Sequence, residues 1–438
     1  MNNKLQKYDN YKPSNVEWLG EIPQHWEVTR IKNLFKEINE RSMNGNEDLL
    51  SVSQYTGVTK KGDKLEEGEL LTNAATLEGY KKVFKGDLVS NIMLAWNGSL
   101  GFSEFEGITS PAYSIYRLKV EGAKKYFHYL FRTELYKSEF KRNSSGVIES
   151  RLRLYTDDFF RIPSILPPLS EQEKIAQFLD EKNTKIDKAI EIKERQIELL
   201  KERRQILIHR AVTRGLDVNV PLKDSGIEWI GEIPEHWEVK RLRYIGKCQN
   251  GVSKGAEYFG TGFPFVSYGD VYKSIELAEN VNGLAESSIE DRKQYSVKEG
   301  DVFFTRTSET VEEIGFASTC LKTIEDATFA GFLIRFRPSK DILYKGFSKF
   351  YFSSKTHRAF FVKEMNLVIR ASLSQELLNR MPIIIPPFEE QIAISEYLEN
   401  ISAKISKAIG LKEREIEVLK EYKSSLINSA VTGKVRVF

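Results

Sequence analysis

The sequence predicts an α+β protein with a pseudo-twofold internal repeat, in which two mostly β domains are joined by two long helices that pair as an antiparallel coiled coil. Three observations predict it. SNVEWLGEIPQHWEV (14–28) returns as SGIEWIGEIPEHWEV (225–239), a displacement of 211 residues. IPSILPPLSEQEKIAQFLDEKNTKIDKAIEIKERQIELLKERRQ, from Ile162, returns as MPIIIPPFEEQIAISEYLENISAKISKAIGLKEREIEVLKEYKS, from Met381, now displaced by 219. Between these repeated ends lie middles that do not resemble each other. One scaffold duplicated around two unlike surfaces gives that distribution, and self-similarity of this kind governs the whole fold assignment.

Each unit opens on a Trp-rich segment, and four of the five tryptophans lie in the two copies. His25 and His236 occupy equivalent His-Trp pairs, and a histidine repeated beside a buried tryptophan reads as structural rather than catalytic. The middles, about 29–160 and 240–380, carry short alternating runs such as YSIYRL (113–118) and FLIRFRP (332–338). They also carry the turns Lys85-Gly86-Asp87 and Glu299-Gly300-Asp301. They read as mostly β, with one helix over 123–140 and a counterpart over 344–363.

The proline pair Pro167-Pro168 stops the first middle, and Ser170 with Glu173 forms a capping box for the first long helix. The second copy has Glu389 at the Ser170 position, keeping acid near the positive helix end. A 3.5-residue seam follows through Leu179, Ile186, Ile190, Ile197 and Leu200, repeated as Leu398, Ile405, Ile409, Ile416 and Leu419. Polar interruptions recur in register: Asn183 with Ser402, Lys193 with Lys412, Arg204 with Lys423. That is coiled-coil patterning. The two helices are expected to pair with each other; packing of each on its own domain, or dimerisation through another chain, are the alternatives. About 40 residues of helix span roughly 60 Å, enough to hold two domains apart.

Bulk composition bounds the rest. The 438 residues can bury more than one core, and 41% hydrophobic content with mean hydropathy −0.40 is ordinary for an ordered chain. A net charge of +3 announces no polyanion partner, so any such contact must come from local patches. Two cysteines, Cys248 and Cys320, make neither a disulfide framework nor a zinc site; a reducing cytoplasm is expected, and no membrane segment. Pro386-Pro387-Phe388 is preceded by Ile385 and Pro167-Pro168-Leu169 by Leu166. The polar group by which an adenine methyltransferase holds its target amine is therefore missing from both. A phosphate loop and a paired-carboxylate nuclease site are also not found. The chain is expected to be no enzyme, with no catalytic residue, no metal and no cofactor of its own; a DNA-free coiled-coil scaffold is the competing class.

WLGEIPQHWEV, KGDLVSNIMLAWNGSLGFSEFEGITSPAYSIYRL and RIPSILPPLSEQEKIAQFLD resemble recurring segments of type I restriction-modification specificity subunits. EGDVFFTRTSETVEEIGFAS resembles a second kind of recognition sequence in the same family. The resemblance covers nearly the whole chain. It implies target-recognition domains at 1–166 and 216–385 and conserved helices at 167–215 and 386–438. It implies double-stranded DNA with a bipartite site as ligand, and two DNA adenine methyltransferase subunits and restriction/translocase subunits as partners. S-adenosylmethionine, ATP and Mg2+ would then belong to those partners.

Base readout and phosphate contact require polar or basic side chains on exposed loops. Two matched pairs of loops offer them. After the Gly-Asp turns, SNIMLAWNGS supplies Asn91, Trp96 and Asn97, and FTRTSETVEE supplies Arg306, Thr307 and Ser308. Before the proline pairs, KRNSSGVIESRLRL supplies Arg142, Asn143, Ser144, Arg151 and Arg153, and KEMNLVIRASLSQ supplies Arg370 and Ser372. Arg151 and Arg370 coincide at the 219 displacement. The matched arginines can instead brace the fold or hold phosphate, Trp96 can be core, and the polar residues can cap turns.

Overall fold

The computed structural model describes residues 6–54, 56–61, 76–148, 151–308, 314–354, 359–361 and 371–438. Contacts divide the chain into two units, Met1–Lys193 with Arg414–Phe438, and Glu194–Glu413. Each long helix contributes one end to each unit, because its two halves bury their apolar stripes in different cores.

In the first unit a four-stranded antiparallel sheet is built from β2 (Phe35–Ile38), β3 (Leu88–Asn91), β4 (Leu100–Phe102) and β5 (Tyr113–Leu118), in the order β2-β5-β3-β4. All four residues of β3 are buried, as expected for a strand flanked on both sides. Before the sheet, β1 (Glu27–Arg30) pairs with β6 (Pro163–Leu166), tying the Trp-rich opening to the segment that precedes the long helix. The helix expected over 123–140 is two helices, α1 (Lys124–Phe131) and α2 (Glu134–Arg142). Thr133 breaks them: its side chain accepts the Tyr136 N–H, an N-cap inside what periodicity reads as one run.

The second unit repeats this plan. Strands β8 (Gly246–Asn250), β9 (Val302–Thr305), β11 (Ala317–Thr319) and β12 (Leu333–Pro338) form a sheet in the order β8-β12-β9-β11. Strand β7 (Glu238–Arg241) pairs with β14 (Pro382–Ile385). Helix α4 (Lys345–Ser353) covers the first part of the expected 344–363 helix. Two additions distinguish this unit. A three-stranded sheet joins Phe259–Val266, Gly283–Ala285 and Thr328–Phe329, and a short ladder pairs β10 (Thr307–Ser308) with β13 (Ala371–Ser372).

The long helices are α3 (Leu169–Arg214) and α5 (Phe388–Val431). In the first unit Ile175, Leu179 and Ile186 from the start of α3 share a core with Leu426, Ala430 and Val431 from the end of α5. In the second unit Ile208, Ala211 and Val212 from the end of α3 share a core with Ile394 and Leu398 from the start of α5. Starts meet ends, so the pairing is antiparallel. Ile186, Ile197, Ile405, Ile409 and Ile416 are buried, and Ile190, Leu200 and Leu419 partly so. Lys193 pairs with Glu415, and Lys423 lies 2.6 Å from Asp187. These cross-helix ion pairs are partly exposed and contribute little beyond register.

The expected Ser170–Glu173 capping box does not form. Helix α3 begins at Leu169, which puts Ser170 inside the first turn, and the Pro168 carbonyl accepts the Glu171 and Gln172 N–H groups. Among the described residues no helix is long and apolar enough to cross a membrane.

Candidate nucleic-acid interface

The two units hold their loops by the same hydrogen bonds. In the first, Trp26 is fully buried and its indole Nε1 donates to Glu171 Oε2 at 2.8 Å, while His25 Nε2 lies 2.7 Å from Oε1 of the same carboxylate. In the second, Trp237 donates to Glu390 Oε2 at 3.0 Å and His236 lies 2.6 Å from Oε1. Glu171 and Glu390 sit in the first turns of α3 and α5, where the helix dipole favours a carboxylate. The repeated histidines are thus fastened to the helix starts. The opposite helix closes each site with a glycine at positive φ. A Cβ on Gly433 would lie 2.9 Å from the Trp26 ring, and one on Gly215 would lie 3.2 Å from the Trp237 ring.

The Gly-Asp turns are fastened too. Asp87, almost fully buried, accepts from Arg117 Nε and Nη2 at 2.7 and 2.9 Å, and also from the Phe84 N–H. Asp301, fully buried, accepts from Arg337 Nε and Nη2 at 2.6 Å each and from the Lys298 N–H. These bidentate pairs hold the turn that launches the central strand. That hydrogen bonding holds the Arg117 guanidinium above its ordinary range. Tyr136 and Tyr351, both buried, accept the backbone N–H groups of Ile165 and Ile384 at 3.1 Å, which locks the strand before each long helix.

Strand register then defines which loop residues correspond. Asn91 pairs with Tyr113 as Thr305 pairs with Leu333. Ile92 therefore corresponds to Arg306, and Ala112 to Phe332. An independent hydrogen bond agrees: Leu154 N–H donates to the Ile92 carbonyl, and Leu373 N–H donates to the Arg306 carbonyl. In both units the loop after the central strand is thus stitched to the loop before the proline pair, and the two candidate loops form one surface at one end of the sheet.

Comparison with known proteins decides what this scaffold is. The family described as "Type I restriction modification DNA specificity domain" matches residues 23–202 and 234–418. The chain belongs to that family. It is 26% identical, over 98% of its own length and 97% of the relative's, to the "Type I restriction enzyme MjaVIII specificity subunit" of Methanocaldococcus jannaschii. Two solved structures share its fold. One, from a study titled "Structural basis underlying complex assembly and conformational transition of the type I R-M system", gives a TM-score of 0.70 at 14% identity over 94% of this chain and 98% of that one. The HsdS subunit of Thermoanaerobacter tengcongensis gives 0.56 at 15% identity over the same shares.

Within this type I specificity subunit the candidate residues separate by what their side chains already do. Asn91 is 5% exposed and its Oδ1 accepts the Met93 N–H, so it shapes a turn. Asn97 accepts from the Ser99 N–H and hydroxyl, again a turn. Trp96 is half-buried against the domain core, its Nε1 donating to the Met93 carbonyl and its ring 5.4 Å from Lys141 Nζ. Asn143 and Ser144 donate to the Glu139 and Phe140 carbonyls, ending α2.

Arg142 is exposed and lies 3.7 Å from Glu139. Ser145 and Arg153 exchange backbone hydrogen bonds at 2.9 Å, making a small hairpin that carries exposed Arg151 near its tip. Arg306 is half-buried and Thr307 exposed, and the ladder sets Thr307 opposite Ser372 and Ser308 opposite Ala371. Arg370 lies outside the described residues.

The second unit also has a cleft of about 500 Å³ where this loop meets two others. Lys254, Arg306, Thr307, Phe332, Phe265 and Tyr268 are among the residues that line it. Lys254 and Phe332 are not among the residues that loop polarity singles out in the sequence. Phe332 reads in sequence as the first residue of an alternating strand, yet β12 begins at Leu333 and leaves the ring in the loop.

Proposed function

We propose that this specificity subunit reads a bipartite DNA site, one half with each recognition domain, and brings methyltransferase and restriction subunits to it. The observation that carries the reading is the register match: identical supports deliver different side chains, Ile92 against Arg306 and Ala112 against Phe332, to equivalent positions. Two unlike half-sites require unlike groups on like positions, since base edges are told apart by their donor, acceptor and methyl patterns. Exposed Arg142 and Arg151 in the first domain, with Lys254 and Arg306 in the second, supply cations for phosphate. The two long helices present a repeated surface of mixed charge, suited to protein partners rather than to DNA.

On this reading the chain is non-catalytic and works in the cytoplasm. S-adenosylmethionine, ATP and Mg2+ act in its partners.

The test is duplex binding by the subunit assembled with its methyltransferase. Affinity for the cognate duplex should exceed that for a scrambled one and fall steeply with salt. For 6–10 phosphate contacts the fall is about 10³–10⁵-fold between 50 and 200 mM. Exchange of residues 29–160 for those of another such subunit should change one half-site of the methylated adenine motif. Salt-insensitive binding, or a change in both half-sites, refutes the reading.

A further inference from the structure

The cleft of the second recognition domain forms where three strand ends of one sheet come together. Strands β8 and β9 end there, and β12, which lies between them and runs the other way, begins there. Antiparallel pairing forces this convergence: loop 251–254, loop 306–307 and loop 330–332 must share one edge. A bridge between Val252 and Ala330, and the Arg306 N–H donated to the Phe332 carbonyl, fix their spacing. Gly331 is needed for the approach, since a Cβ there would lie 2.3 Å from Ser253 Oγ.

Phe332 is 65% exposed on this edge. It is among the residues that line the cleft. Intercalating wedges are convex and insert between base steps; a concave apolar wall receives a group. Two cations, Lys254 and Arg306, and the Thr307 hydroxyl stand beside it, and no carboxylate occurs among the described lining residues. A polyanion would be held at the mouth, with an apolar substituent entering. Among the groups that base pairs present in the major groove, the apolar one is the 5-methyl of thymine.

We propose that Phe332 is a specificity-determining residue of the second domain, and that the cleft takes a thymine methyl group of that domain's half-site while Arg306 and Lys254 hold the flanking backbone. The first domain has Ala112 and Ile92 at the Phe332 and Arg306 positions, so this mode of reading belongs to one half-site. The inference rests on the DNA-reading function proposed above and deepens it.

The test uses the assembled methyltransferase complex, with thymine replaced by uracil one position at a time in both half-sites. In the wild-type complex, one replacement in the half-site assigned to residues 240–380 by domain exchange should weaken binding about fourfold, the worth of one buried methyl. F332A should bind that uracil duplex and the thymine duplex equally, and should leave the uracil profile of the other half-site unchanged. Identical uracil profiles for wild type and F332A, or a half-site without thymine on either strand, overturn the inference while leaving the function intact. So does an equal loss by F332A on cognate and scrambled duplexes, the result expected of a base-indifferent wedge. Failure of the wild-type complex to prefer its cognate duplex would instead refute the function itself.

Discussion

The two units of the chain agree where they are buried and disagree one residue beyond the end of a strand. Glu171 and Glu390 hold the same His-Trp pairs, Asp87 and Asp301 the same arginine forks, and Tyr136 and Tyr351 the same strand N–H. At the next position along the central strands, Ile92 in one unit corresponds to Arg306 in the other, and across the ladder Ala112 corresponds to Phe332. A recognition surface can vary freely when everything that orients it is invariant, because the geometry is set by groups that cannot change without leaving a buried charge or donor unpaired.

The strongest way to break this equivalence is at the tryptophans. W26A and W237A each remove a fully buried indole and one of the hydrogen bonds to the helix-start carboxylate, so each should cost about 3–5 kcal/mol in denaturant unfolding. Losses that differ by more than about 2 kcal/mol would show that the two clamps are alike in contacts but not in energy.

A second measurement sharpens a difference. His128 of α1 sits where Gly57 and Gly101 leave room for its ring, each Cβ position being 3.3 Å from it. Burial, aided by nearby Arg132, pushes this imidazole down to about 4. The folded value lies below the unfolded 6.5, so the contribution is fully present above pH 6.5 and is lost as pH falls toward 4. Allowing for solvent at the ring edge, that loss is about 2 kcal/mol. The first unit should weaken over that window in wild type and not in H128F; an unchanged pH profile in H128F removes the histidine as the cause.

The smallest effect is chemical. Cys248 and Cys320, both in the second unit, have thiols pushed up to about 12, chiefly by burial. At pH 8 the thiolate fraction is about 10⁻⁴, so disulfide reagents should label neither until that unit opens. Labelling against denaturant thus times the second unit alone; prompt labelling of native protein would show that its core is looser than the first.

Much of this was legible without coordinates. The repeat, the coiled-coil seam and the paired Gly-Asp turns follow from spacing alone, because period and turn chemistry are local properties. The repeated histidines also read correctly as structural. Their partner does not show itself in the sequence: the histidines recur at a displacement of 211 and Glu171 with Glu390 at 219, and nothing local says that a residue 146 positions away closes the clamp. The same distance hid Arg117 and Arg337 from their aspartates. The expected capping box lies two residues out of phase with the helix, because the Pro168 carbonyl, not Ser170, satisfies the first turn.

At the site, side-chain polarity alone does not separate residues that complete a turn from residues left exposed. Asn91, Asn97, Asn143 and Ser144 look like DNA contacts because they are polar and lie in loops, yet each completes a turn or a helix end, the commonest use of such residues. Phe332 looks like core because it begins an alternating run. The sequence by itself determined that the chain is one unit built twice, with helices long enough to be shared. Only tertiary structure decided which side chains reach the recognition edge. That choice depends on where a strand stops and which distant loop is hydrogen-bonded beside it, and both are settled by pairing between segments far apart in the chain.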